Sequence, residues 1–154
     1  MAATGPRRHY LAALLGSGIL FTACLVARAD DSADARGQIS HVANALSEGN
    51  PASAMSSIDN SYTHYAKLRD YFSGLTAAFQ IANGISISDE QDDKDQITLS
   101  VHWDLTLTDF QTNYSENRAA DLTIKVARIK SKWKIVDIGP IDIFNPARAS
   151  AGVR

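Results

Sequence analysis

Cysteine occurs once in the 154 residues, at Cys24. No intrachain disulfide can form and no thiolate cluster can hold a metal. His41, His64 and His102 are scattered without the i, i+4 spacing or companion ligands of a zinc site. The acidic string DEQDDKD (89–95) lacks the central glycine and terminal glutamate of a calcium loop and reads as a soluble hairpin tip. There is no glycine-rich phosphate loop and no nucleophile elbow; the only GSG lies in the amino-terminal apolar segment. No repeat, heptad series or low-complexity tract occurs. These absences remove metal chemistry, thiol chemistry and nucleotide binding, and no metal or cofactor is expected.

What is present begins with a basic patch at Arg7 and Arg8, an uncharged run over 11–26 and the small-x-small sequence Ala27-Arg28-Ala29. This is the order of a cleaved export signal. The run is shorter than the roughly 18 to 20 residues that span a bilayer. Residues 1–29 are therefore expected to be a signal peptide, removed to leave a secreted or periplasmic protein starting at Asp30. The alternative is a lipoprotein anchored at Cys24, since LFTAC approximates a lipobox; only then is a membrane a partner. Cleavage removes Arg7, Arg8 and Arg28 and leaves twelve basic against seventeen acidic side chains. An acidic domain of this kind is not expected to bind nucleic acid.

The pattern then changes twice. Ile39, Val42, Ala43 and Leu46 mark an amphipathic helix, with Ser32 as its cap and Gly49 beyond its end. Asn50-Pro51 starts a second, short helix. Tyr65, Leu68, Phe72, Leu75 and Phe79 form the stripe of a third, closed by Asn83-Gly84. After Gly84 the period falls to two. ITLSVHWDLTLT alternates strictly, with Ile97, Leu99, Val101, Trp103, Leu105 and Leu107 on one face. ADLTIKVARIK buries Leu122, Ile124 and Val126, with a bulge expected at Arg128-Ile129. KWKIVDIGPIDIF is the final strand, bent at Gly139-Pro140, and 147–154 is a flexible tail. The fold class is α+β: three amino-terminal helices packed on a curved four-stranded antiparallel sheet, one domain over 30–146.

ALSEGNPASAMSSID, YAKLRDYFSGLTAAF, VHWDLTL and KWKIVDIGPIDIFNP, in that order, resemble the nuclear transport factor 2-like superfamily. Ketosteroid isomerase-like and polyketide cyclase-like proteins share its cone-shaped fold, and within it the chain is similar to exported bacterial members of unassigned activity. The resemblance runs from about Ser32 to Pro146. One departure is the lack of a strand pair between the second and third helices. The resemblance implies that any chemistry lies inside the cone, between the long helix and the concave sheet.

Tyr65, Phe72, Trp103, Trp133 and Asp137 are accordingly the candidates for lining a pocket. Asp137 shares a face with Trp133 and Ile135 if alternation holds through WKIVDIG; with Val136 and Ile138 inward it stands in water instead. The aromatic stripe also reads as plain core. His102 and Asp104 share the polar face of their strand, a solvated surface or a homodimer contact. Lys125, Arg128, Lys130, Lys132 and Lys134 read as a solvated edge. The leading expectation is an exported, non-catalytic domain that binds a small apolar molecule or a protein partner. The runner-up is a small isomerase, cyclase or dehydratase with Asp137 and Tyr65 moving the proton, since a buried carboxyl has a raised pKa. A third is an interaction module whose cone is filled by side chains.

Overall fold

The computed structural model describes residues 22–147. Three helices, α1 (Thr22–Ser47), α2 (Pro51–Ser56) and α3 (Tyr65–Ala78), precede four strands, β1 (Phe79–Asp93), β2 (Gln96–Asp109), β3 (Ser115–Ile129) and β4 (Lys132–Gly139). A 3-10 turn, Ile141–Phe144, follows. The strands make one antiparallel meander in the order β1-β2-β3-β4, so the expected α+β layering is the one observed. The expected signal segment up to residue 21, and residues 148–154 of the expected tail, lie outside the described residues.

Helix α1 already runs through Ser32, so that residue is not its cap; the described sequence before it is rich in alanine and free of proline and glycine. Two ion pairs tie α1 to the sheet: Arg36 Nη2 to Glu90 at 2.5 Å, and Arg128 to Asp31. Its other end matches the sequence pattern. Gly49, at φ 70°, donates to Leu46 O (3.0 Å), and Asn50 donates to Ala45 O (2.8 Å). This pair of bonds closes a helix through a left-handed residue that glycine adopts without strain. Asn50 then caps α2, its Oδ1 accepting from the Ser53 N–H at 3.0 Å, with Pro51 in the first turn.

Helix α3 ends at Ala78, earlier than the expected Asn83-Gly84, and Phe79, Ile81 and Asn83 belong to β1. Leu68, Phe72 and Leu75 form its buried stripe. Strand β2 follows its alternation closely: Ile97, Leu99, Val101, Trp103, Leu105 and Leu107 are all buried against the helices. The hairpin from β3 to β4 turns on Lys130 and Ser131, both at positive φ (48° and 66°). The bulge expected at Arg128-Ile129 lies instead on β4. Lys125 pairs with Asp137 and Val126 with Ile135, leaving Val136 as the extra residue. Between α2 and α3 no strand pair forms; Ile58 makes a single parallel bridge to Ile135. GPIDIF does not continue β4, because the strand ends at Gly139 and the chain folds into the 3-10 turn.

Candidate functional site

The concave face of the sheet meets α1 and α3 across a space that side chains fill. Trp103 on β2 and Phe72 on α3 are fully buried, and the Phe144 ring from the 3-10 turn stands between them. Its centroid is 5.2 Å from Trp103 and 5.3 Å from Phe72, perpendicular to each, the edge-to-face geometry aromatic rings favour. Trp103 Nε1 donates to Asn83 Oδ1 (2.9 Å), and Asn83 Nδ2 donates to Ala43 O and Ser47 Oγ, both at 2.9 Å. Asn83, expected to close a helix, thus joins β1, β2 and α1 through one polar group.

Beside Phe144 lies Arg118 of β3, in phase with the buried residues Leu122, Ile124 and Val126 of its strand. Its side chain is 3 % exposed. Nε donates to Glu116 Oε1 at 2.7 Å, and Nη1 donates to the carbonyls of Ile143 and Asn145, each at 2.8 Å. Nη2 is buried with no acceptor among the described residues. Nε and Nη1 thus tie the guanidinium to its counter-charge Glu116 and to the carboxy-terminal segment, which Arg118 holds in place. One signal for it is legible in the sequence, an arginine on the inward phase of a strand. Phe144 carried none, because IDIF reads as more strand.

Of the expected pocket residues, the fold brings Phe72 and Trp103 together and separates the rest. Asp137 does not face the interior. The bulge at Val136 resets the alternation, so Trp133, Ile135 and Ile138 point inward and the Asp137 side chain is 54 % exposed. It stands 3.9 Å from Lys125 Nζ. It borders an open depression of about 330 Å³ together with Tyr62, His64, Lys67 and residues 138–142. The tyrosine beside it is Tyr62, not Tyr65. The Tyr62 hydroxyl donates to Ile138 O at 2.6 Å, and burial, with the Asp137 charge adding to it, pushes its pKa up to about 12. Tyr65 is half-buried against the core.

Trp133 packs at the other end of the sheet. The Arg128 guanidinium lies 5.0 Å from its ring centroid, and its Nε1 has no acceptor among the described residues. In the basic series, Arg128 pairs with Asp31 and Lys134 donates to Ser56 O. On the outer face His102 Nδ1 lies 2.7 Å from Asp121 and Nε2 lies 3.5 Å from Asp104. The hydrogen bond to Asp121 is the main reason its pKa is raised. The turn from β2 to β3 exposes two aromatics, Phe110 (59 %) and Tyr114 (70 %).

No family model matches the chain, and no curated protein matches its sequence. Solved structures do match. A conserved protein from Planctomyces limnophilus superposes with a TM-score of 0.68 at 9 % identity, over 73 % of this chain and 96 % of that one. An NTF2-like protein with a cystatin-like fold from Novosphingobium aromaticivorans gives 0.61 at 15 % identity, over 79 % and 89 %. A ketosteroid isomerase-like protein from Erwinia carotovora gives 0.58 at 9 %, over 69 % and 91 %. At such identities the likeness is one of fold: the chain has the α+β cone of NTF2-like proteins.

Proposed function

We propose that this NTF2-like cone is a non-catalytic interaction domain, exported after cleavage near Ala29, whose partner is a protein rather than a small apolar molecule. The observation that carries the reading is the filled interior. Phe144 occupies, between Phe72 and Trp103, the space that a small ligand would need. Small-molecule sites are concave and largely preformed, and the interior here is packed as a core. The runner-up chemistry has little to act with. Asp137 is solvated beside Lys125, and the Tyr62 hydroxyl is committed to a backbone carbonyl. Exposed Phe110 and Tyr114 suit a protein surface, since aromatic side chains dominate interface energetics. Export is supported by the basic, apolar, small-x-small order of residues 1–29.

The test is a titration of the full-length protein with 2-naphthol and with a cyclic β,γ-unsaturated ketone in deuterated water. The Trp103 indole resonance should not move, and exchange of the ketone's α-protons should match that of an Asp137→Ala variant. Saturable 1:1 movement of Trp103, or exchange that the variant loses, would restore the small-molecule or the enzymatic reading. Mass spectrometry of the exported protein should find Asp30 at the amino terminus; an acylated Cys24 there would replace export in soluble form with a lipid anchor.

A further inference from the structure

We propose that the groove holding residues 141–147 is a peptide-binding site occupied by the chain's own carboxy-terminal strap. From a partner protein it accepts a segment of the same 3-10 course, carrying phenylalanine followed two residues later by proline. The inference rests on the reading of a protein-binding domain and names where and what that domain would bind.

Three sockets grip the strap, and each recognises a feature that another peptide could supply. Phe72 and Trp103 clasp the Phe144 ring edge to face. Arg118 Nη1 donates to the carbonyls on either side of Phe144, those of Ile143 and Asn145. Two residues beyond Phe144, the Pro146 ring sits against Gly74 of α3, so close that a Cβ on Gly74 would lie 2.8 Å from Pro146 Cγ. The polar contacts at Arg118 are to backbone carbonyls, which every peptide has. Selection therefore falls to the aromatic socket and the glycine dent, hence the phenylalanine, any residue, proline spacing.

The strap also stands apart from the sheet. It adds no strand to the sheet, and its backbone runs in 3-10 turns, Ile141–Phe144 and again at Pro146 and Ala147. Arg118 Nη2, buried and without an acceptor among the described residues, is a donor the strap leaves unused. Leaving such a group unmet is costly, and a segment from a partner can place a further carbonyl on it. A groove filled in cis binds in trans with an affinity reduced by the fraction of time that it is open. Loosening the strap without touching the groove's lining should therefore tighten binding of a separate peptide.

Gly74→Ala does this, because the added methyl displaces Pro146 while Phe72, Trp103 and Arg118 stay as they are. The probe is a fluorescently labelled peptide with the sequence of residues 141–147, titrated into full-length protein. The variant should bind at least about tenfold more tightly than the wild type, and a peptide with alanine in place of its phenylalanine should bind neither. Equal affinities for the two proteins, or equal binding of the two peptides, would overturn the proposal. Should Gly74→Ala fail to fold, the wild type at about 1 mM unlabelled peptide decides. Resonance shifts at Trp103 and Gly74 support the site, and unmoved resonances overturn it. Failure here would leave the interaction-domain reading intact, because a strap that never opens excludes 2-naphthol and a separate peptide alike.

Discussion

At the scale of single residues, function turns on which polar groups the fold has already engaged. Tyr62 is the clearest case. Its hydroxyl is buried and donates to Ile138 O, and its pKa is raised to about 12. An ordinary tyrosine titrates near 10. Because the folded-state value is the higher, the contribution of Tyr62 to stability is complete below pH 10 and is lost as pH rises from 10 towards 12. A phenolate absorbance titration should show a late step near 12 that Tyr62→Phe removes. A chain whose tyrosines all ionise near 10 while folded would contradict this placement. Phe144 is the second case. Phe144→Ala empties a socket walled by two aromatics and should cost about 3–5 kcal/mol in chemical denaturation. A loss under about 1 kcal/mol would mean that the ring is not in the core.

At the scale of elements, the strands were legible wherever alternation was strict and one face was wholly buried, as in β2. The start of β1 was not legible. Phe79 sits four residues after Leu75 and so continues a helical stripe, yet it also alternates with Ile81 and Asn83; only pairing with β2, Phe79 opposite Asp109, decides between them. The bulge at Val136 left no mark either, since a valine followed by an aspartate fits both phases of a strand. That one residue moved Asp137 from a candidate inside the cone to its surface. Arg118 could have been found, because positions 118, 120, 122, 124 and 126 share one phase and four of them are apolar. Deleting Val136 should therefore restore regular pairing with Trp133, Ile135 and Ile138 still inward. The variant should fold, losing no more than about 1–3 kcal/mol, the range of ordinary single substitutions. If β4 alternated regularly in the wild type, the same deletion would reverse the faces of Asp137 and Ile138 relative to Trp133 and Ile135, and a loss well above about 3 kcal/mol would show it.

At the scale of the whole molecule, the order of periods in the sequence set the layers, and the last described residues set what the layers enclose. Helices and sheet alone would form an open funnel. The segment after Gly139 turns back, inserts Phe144 and fastens itself through Arg118 and Gly74. The sequence string IDIFNP gave no notice of this return, because the contacts that hold it come from β3 and α3, far away along the chain. A fold shared with proteins described as isomerase-like is thereby left with a packed interior, and its surfaces become the places to look for function.

The most direct measurement is the set of nuclear Overhauser contacts made by the Phe144 ring in the full-length protein in solution. Strong contacts from that ring to both the Trp103 indole and the Phe72 ring are predicted. A Phe144 ring in contact with water, and a Trp103 indole free of it, would contradict the account.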